Sequence, residues 1–301
     1  MGLRLVGLQR SCDLDIRYLD SLVAVVECGS IAQAARLQDL TAAAVGQRIS
    51  VLEKHFNTEL LNRNSHKATP TEACLNLLPR LKHIVHEFHS LNADLDHSGL
   101  AGKFKLGAIS TAVTGMLPKA IKFLAGSAPG LVLQIKPGTS NRLYEDLTER
   151  RIDAAIIVSP PHAVPKRYHS ELLRDEPLIL LSNKSKGKSI RQKLTQNPYI
   201  RYDAQSWGGV KASQFLKDKK IELEPYCELD SLGAIEKLVQ QEIGVSLVPL
   251  WSRPDLTSPG LDAEFVRPNR YARRLVLITR VDGARKRVFD ALHEALQSPT
   301  A

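Results

Sequence analysis

Cysteines and histidines are the residues of this chain that could form disulfides or bind a metal. The cysteines are Cys12, Cys28, Cys74 and Cys227. They are far apart and form no C-x-x-C pair, so the sequence predicts reduced thiols, with neither a disulfide framework nor a zinc site. Histidines 83, 86 and 89 in "HIVHEFH" have i, i+3, i+6 spacing, which a solvated helix face explains better than a metal site does. We expect no metal and no cofactor.

Sequence motifs for the common enzyme chemistries are missing. The chain contains no G-x-S-x-G, no G-x-x-x-x-G-K-[ST], no H-E-x-x-H and no G-x-G-x-x-G. These patterns mark nucleophile elbows, phosphate loops, zinc proteases and dinucleotide sites. The sequence therefore does not predict an enzyme.

Three hydrogen-bonding residues, Gln47, Arg48 and Ser50, follow a run of small residues in "LTAAAVGQRISVLEKHF", residues 40–56. Apolar residues recur there at i, i+4, i+7 and i+11, which predicts a helix with one buried face. They are Val45, Ile49, Leu52 and Phe56. The small residues fit two interpretations: packing against another helix, or close approach of the backbone to a surface outside the domain.

Neighbouring elements would make that helix the second half of a helix-turn-helix. Residues 16–28 have helical apolar spacing, Gly29 can end that helix, and Ser30 can cap the short helix "IAQAARL". The turn "QDL" leads to Thr41, a second capping residue. The segment "NTELLNRNSHKATPT" then predicts a hairpin-like wing with a polar tip.

A long helix beginning near Thr71 carries the most regular pattern in the chain. Its apolar residues are spaced 4, 3, 4, 3, 4: Leu77, Leu81, Ile84, Phe88, Leu91 and Leu95. This is an a/d seam of about three heptads. A single seam on a polar helix needs a partner to bury it, so we infer dimerisation, with packing against its own domain as the alternative.

Strands and helices alternate from Lys103 to the last helix, which predicts an α/β fold of βα units around mostly parallel sheets. Examples are the strand "KFKLGAI", the strand "LVLQIKPG" with the helix "SNRLYEDLTERR", and "RRLVLITR" followed by "RKRVFDALHEAL".

Residues of the N-terminal segment resemble the winged helix-turn-helix of LysR-type transcriptional regulators. Those in register are Gly29-Ser30, Ala34-Ala35, Ala44-Val45, Ile49, Leu52-Glu53, Leu60, Arg63, Thr71 and Ala73. Later segments match the family's landmarks in order, among them "GKFKLGAISTAVTGMLP", "ERRIDAAIIVS", "ELDSLGAIEKLVQQEIGVSLVP" and "RRLVLITR". The likeness runs roughly from Asp13 to the last helix.

That resemblance implies a domain organisation. We expect a winged helix-turn-helix at 13–71, a linker and dimerisation helix at 72–98, and an effector domain at 103–301. The effector domain would have a type 2 periplasmic-binding-like fold, with subdomain I at about 103–175 and 268–301 and subdomain II at about 176–267. Residues 1–12 precede the family's usual start and would be an arm or a mis-assigned start.

The same resemblance implies which residues contact DNA, because the second helix would enter the major groove. The candidates are Ser30, Thr41, Ala42, Ala43, Gly46, Gln47, Arg48, Ser50, Arg63 and Lys67. Ala42 and Gly46 replace a glutamine and a serine of the family pattern, so long base-reading side chains are scarce at the helix tip. Recognition of the bases would depend on whichever of Gln47, Arg48 and Ser50 face the groove, while the wing contacts phosphates.

Hydroxyl and amide residues at strand ends, together with one tryptophan, are the candidates for an effector site, since ligands of such sheets bind beyond strand C-termini and at helix N-termini. They are Ser110, Thr111, Thr139, Ser140, Asn141, Tyr202, Trp207 and Ser231. Their chemistry suits a carboxylate or other anion. Capping of the adjacent helices is the alternative role for Ser140, Asn141 and Ser231.

The net charge of +9 is unevenly distributed. Residues 1–100 hold ten Lys/Arg and eleven Asp/Glu, so the remaining 31 and 21 lie beyond position 100. The DNA-reading segment therefore has little charge for non-specific binding, which predicts dependence on two half-sites and a dimer or tetramer. Expected partners are double-stranded promoter DNA, a small effector, a second copy of the chain and RNA polymerase.

We expect a cytoplasmic protein with no membrane partner, since the chain begins without an apolar signal segment. A cytosolic small-molecule-binding protein, or a solute-binding-like domain without sequence-specific DNA binding, is the alternative.

Overall fold

The computed structural model describes residues 14–64, 67–94, 99–183, 189–251, 261–282 and 285–297. The chain divides into two compact units, Met1–Leu91 and Asn92–Ala301. Residues 1–12 and Leu95, for which the sequence makes predictions, lie outside the described residues. Among the described residues, no helix combines the length and apolar character needed to cross a membrane.

The first unit is a helical core with a two-stranded wing. Its elements are α1 (Ile16–Cys28), α2 (Ile31–Leu37), α3 (Ala42–Phe56), β1 (Leu61–Asn64), β2 (Lys67–Pro70) and α4 (Glu72–Asp94). Gly29 ends α1 in the left-handed region, at φ 66°, a conformation that glycine adopts without a steric penalty. The predicted stripe of α3 is confirmed, because Val45, Ile49 and Leu52 are at most 1% exposed.

Side-chain oxygens of Glu53 and Thr71 hold the wing against the helices. Glu53 Oε1 accepts hydrogen bonds from the backbone N–H groups of Leu60 and Leu61, at 3.0 and 3.2 Å. Thr71 Oγ1 accepts from the N–H of Cys74 at 3.2 Å and lies 2.9 Å from the Glu59 carbonyl. The strands β1 and β2 then pair antiparallel, as the hairpin prediction requires.

The seam of α4 is covered by the first unit near its start and exposed further along. Leu81 is 4% exposed and packs with the core of the first unit, and Leu77 packs partly against the same core. Ile84, Phe88 and Leu91 are 47%, 49% and 55% exposed. The prediction that a second chain covers the whole seam is wrong for Leu77 and Leu81, because the core of the first unit covers the helix at these two residues.

The second unit contains a five-stranded sheet of order β4-β3-β5-β12-β6. The strands are β3 (Gly102–Ala108), β4 (Leu131–Pro137), β5 (Ala154–Val158), β6 (Tyr168–Glu176) and β12 (Arg273–Arg280). The helices that follow or cover these strands are α5 (Ser110–Gly115), α6 (Leu117–Ser127), α7 (Ser140–Thr148) and α11 (Lys286–Gln297).

Smaller sheets make up the rest of this unit, one of order β10-β7-β11 and one pairing β8 with β9. Their strands are β7 (Leu178–Asn183), β8 (Tyr199–Tyr202), β9 (Pro225–Leu229), β10 (Ser246–Pro249) and β11 (Leu261–Phe265). The associated helices are α8 (Ile190–Gln196), α9 (Gly209–Asp218), α10 (Leu232–Gln240) and a short 3-10 helix (Asn269–Tyr271).

The sheets differ from the mostly parallel prediction. Strand β3 pairs in parallel with β4 and β5, and β8 with β9. However, β12 runs antiparallel to β5 and β6, and β7 runs antiparallel to β10 and β11. The path of the chain explains this difference. Only Pro177 separates β6 from β7, so the chain leaves the large sheet after β6, forms the smaller sheets, and returns to the large sheet as β12.

Candidate nucleic-acid interface and ligand cleft

Side-chain hydroxyls cap the N-terminal ends of the two helices of the helix-turn-helix. Thr41 Oγ1 accepts from the N–H of Ala44 at 3.1 Å, and Ser30 Oγ accepts from the N–H of Gln33 at 3.4 Å. These bonds satisfy N–H groups that the first turn of a helix leaves free. In this structure, therefore, both hydroxyls hold the helix ends.

The outer face of α3 is built from small and polar residues. Ala42, Ala43, Gln47 and Ser50 are exposed, and Gly46 is half-buried. Apart from its two chain neighbours and the backbone of α3 itself, no atom of the described residues would lie within 4 Å of a Cβ at Gly46. The backbone of this face is therefore open to close approach by a large partner.

Arg48 is placed differently from these residues. Its Nη1 donates to the Ser21 hydroxyl of α1 at 3.0 Å, and its side chain is half-buried. The guanidinium is thus directed toward α1, while Gln47 and Ser50 remain on the outer face.

Arg63 lies on β1 opposite Ala68, and Lys67 begins β2 opposite Asn64. The backbone of both wing candidates is described, and their side chains lie outside the described residues.

A cavity of about 190 Å³ opens in the second unit, where the C-terminal ends of β3, β4, β5, β8 and β9 meet. Residues lining it are Ile109, Ser110, Thr111, Gly138, Thr139, Ser140, Asn141, Val158, Tyr202, Asp203, Gln205, Ser206, Trp207, Gly208, Asp230, Leu232 and Arg273. All the effector candidates but one are among them. The exception is Ser231, whose hydroxyl accepts from the N–H of Ala234 at 3.3 Å and caps α10.

Arg273 forms the buried floor of the cavity. The side chain is 2% exposed and its Nε lies 2.5 Å from Glu176 Oε2. Its Nη2 donates to Thr111 Oγ1 at 3.2 Å, and its Nη1 lies 3.5 Å from the Tyr202 hydroxyl. Because Arg273 begins β12 while Thr111 follows β3 and Tyr202 ends β8, one guanidinium connects both parts of the cavity wall.

Two acidic residues also line the cavity. Asp203 and Asp230 both face the cavity, and burial together with the nearby Asp203 charge raises the pKa of Asp230. Burial also raises the pKa of the Tyr202 hydroxyl, which stays protonated. Arg273 is the one cationic side chain among the described lining residues, so the two aspartates outnumber it.

Gly208 and Trp207 also line the cavity. A Cβ at Gly208 would lie 2.9 Å from the Tyr202 ring and 3.3 Å from Arg273 Nη1, so only glycine leaves both groups in place. The Trp207 ring packs edge-on against Tyr144 and His162, with centroids 5.7 and 6.3 Å away.

Sequence reasoning missed Arg273, Glu176 and Asp230. Arg273 and Glu176 are 97 positions apart, and the pattern of "RRLVLITR" marks a strand without indicating which arginine turns inward. Asp230 stands beside the predicted cap Ser231, so its position directly after a strand was the available signal.

Metal-ligating residues do not cluster in the described parts of the chain, and one thiol, Cys74, is buried. No group of three or more His, Cys, Asp or Glu residues there could hold a metal ion. Burial raises the pKa of the Cys74 thiol, which keeps it in the unreactive protonated form.

Comparison with known proteins identifies both units. Residues 16–75 match the family model "Bacterial regulatory helix-turn-helix protein, lysR family", and residues 97–300 match "LysR substrate binding domain". The HTH-type transcriptional regulator YofA of Bacillus velezensis is 27% identical over 227 residues, covering 75% of this chain and 77% of that protein.

Solved structures share the fold. A full-length OxyR variant from Pseudomonas aeruginosa superposes with a TM-score of 0.71 at 18% identity, covering 94% of each chain. Full-length CbnR complexed with its target DNA gives a TM-score of 0.62 at 17% identity, covering 94% of this chain and 99% of CbnR. The chain therefore belongs to the LysR family of helix-turn-helix transcriptional regulators, which are DNA-binding proteins and not enzymes.

Proposed function

We propose that the chain reads promoter DNA through the outer face of α3. The proposal rests on two features of α3: its N-terminal end is capped, and its outer face has the exposed residues Ala42, Ala43, Gln47 and Ser50. Small residues let the helix backbone come close to the groove, and an alanine methyl can meet a thymine methyl. Gln47 and Ser50 then supply hydrogen bonds to base edges.

We assign the contacts with DNA phosphates to the wing and the helix ends. Arg63 and Lys67 flank the wing turn, and the start of α3 presents its backbone N–H groups. CbnR, a protein of the same fold, forms a complex with its target DNA, which supports a DNA-binding role for the first unit. We retain the proposed boundaries of 13–71, 72–98 and 103–301 for the three functional parts.

We assign dimerisation to the C-terminal half of α4. Ile84, Phe88 and Leu91 form a half-exposed apolar stripe that a second copy of the helix would cover. A dimer of dimers on an interrupted palindrome would then contact DNA at several half-sites, and RNA polymerase would be a further partner. A protein that binds promoter DNA in this way would act in the cytoplasm.

The cavity at the strand ends is assigned to the effector. Its volume suits a small metabolite, and the hydroxyls of Ser110 and Thr111 with the N-terminal turn of α7 suit a carboxylate. Asp203 and Asp230 favour a ligand that carries a positive group as well. The effector regulates if it binds one arrangement of the assembly more tightly than another.

Thermal-shift screening followed by gel-shift tests this proposal. Small carboxylates, with and without an amino group, are screened for stabilisation of the full-length protein. A hit is then added to a gel-shift with the gene's own upstream DNA. The proposal expects the ligand to change the affinity or the number of shifted species, and a hit that changes neither would argue against coupling.

A further inference from the structure

A buried polar contact joins the three helices of the helix-turn-helix. Ser21 of α1 is wholly buried, and its hydroxyl meets two groups from the other helices. Arg48 Nη1 of α3 donates to it at 3.0 Å, and the side-chain oxygen of Gln38, which follows α2, lies 2.8 Å away. The Arg17 carbonyl lies 2.9 Å from the same oxygen.

These contacts account for the hydrogen-bonding capacity of the hydroxyl. Its one proton serves either the Arg17 carbonyl or Gln38, while its lone pairs accept from Arg48. A buried polar group that loses its partner is costly. The trio of Ser21, Gln38 and Arg48 is therefore held in one arrangement.

The apolar stripe of α3 sets which face of the helix is buried, although the apolar contacts themselves are non-directional. Hydrogen bonds are directional, and Arg48 lies beside buried Ile49 on one side and exposed Gln47 on the other. We propose that Arg48 is a positioning residue, which fixes the rotation of α3 through Ser21 and Gln38 and so sets how Gln47 and Ser50 face the DNA. This inference rests on the proposed DNA-reading function of α3.

Full-length protein with single and double substitutions tests the positioning role. Arg48→Met keeps the aliphatic stem and removes the donors, and Ser21→Ala removes the acceptor. Val51→Ala is the matched control, because Val51 is 40% exposed on the same helix and is assigned no DNA contact. The specificity ratio is the affinity for the gene's upstream duplex divided by that for a shuffled duplex of equal composition. It should fall about tenfold in each trio variant and no further in the double variant, because the two residues act as one unit.

Salt dependence separates positioning from phosphate contact. The log–log slope of affinity against salt should be unchanged in Arg48→Met, whereas loss of a direct phosphate contact would reduce it by roughly 0.9 per protomer. A smaller slope in Arg48→Met, together with unchanged binding by Ser21→Ala, would overturn the proposal. So would a lower unfolding midpoint with an unchanged specificity ratio, which is the signature of a role in stability alone.

Equal binding of the unsubstituted protein to both duplexes would contradict the proposed function instead. Urea unfolding without DNA would then test the contact itself. Non-additive loss of stability in the double variant would show that Ser21 and Arg48 are coupled, and additive loss would show that they are not.

Discussion

At the residue scale, the cavity depends on a buried ion pair that does not face solvent. Glu176 is wholly buried, and it holds Arg273 through one carboxylate oxygen and Arg174 through the other, each at 2.5 Å. Removing one partner of such a pair leaves an uncompensated buried charge, which costs more than the pair itself contributes. The pair therefore fixes Arg273, and through it the relation of Thr111 to Tyr202.

Glu176→Gln should destabilise the folded protein by about 3–5 kcal/mol, because Arg273 then lacks its carboxylate. Urea unfolding of the full-length protein measures this. Glu171→Gln is the control, since Glu171 lies on the same strand with its side chain 41% exposed. An equal effect of the two substitutions would contradict the assignment of Arg273 as the anchored floor.

A second buried carboxylate, Asp146 on α7, gives a pH-dependent prediction. Its side chain is wholly buried, with Lys136 Nζ at 2.6 Å and Arg151 Nε at 2.5 Å. Burial alone would raise the pKa of Asp146, but the ion pairs with Lys136 and Arg151 outweigh it and hold the pKa below its ordinary value. The ionised form is therefore stabilised by folding.

Asp146→Asn should cost about 3 kcal/mol at neutral pH, near the lower end for a broken buried pair, because Lys136 is half-exposed. A carboxyl with a lowered folded pKa contributes stability above its unfolded pKa, about 3.9, and loses it as pH falls through the folded value. The difference between the two proteins should therefore close below about pH 3.9. Unfolding midpoints across pH measure it, with exposed Glu145→Gln as the control; a pH-independent gap would refute the ionic explanation.

At the element scale, α4 changes its environment along its length. Its first half packs into the core of the first unit, and its second half keeps an apolar stripe at the surface. The regular heptad spacing of the sequence did not reveal this division, because spacing defines a face but does not say what covers it.

Ile84→Glu should shift the full-length protein from dimer toward monomer, since a charge would be buried in the proposed pairing face. Sedimentation velocity over a concentration series measures the shift. Leu75→Glu is the matched control, because Leu75 is an exposed apolar residue of the same helix outside the stripe, 52% exposed. Dissociation by both variants, or by neither, would remove α4 as the pairing element.

Local signals made many of the elements predictable. The caps Ser30 and Thr41, the terminator Gly29 and the stripe on α3 lie within a few residues of the structure they determine. Hydroxyls at strand ends came together in one cavity because strand C-termini share an edge. Strand directions and the Arg273–Glu176 and Arg48–Ser21 contacts depend on residues distant in sequence, so periodicity carries no information about them.

At the scale of the whole molecule, charge and function are separated. The excess positive charge lies beyond position 100, while residues 1–100 hold ten basic and eleven acidic residues. Counterion release scales with the number of phosphates contacted. Binding should therefore depend on matched geometry at several half-sites more than on non-specific attraction.

Sequence-specific binding to double-stranded DNA is the central claim, and one ratio tests it most directly. The affinity of the full-length protein for a fluorescent duplex of its gene's upstream DNA is compared with that for a shuffled duplex, by anisotropy at about 150 mM salt. We predict at least about 10³-fold tighter binding to the upstream duplex, the range of specific regulators. Equal affinity for the two duplexes would contradict the account.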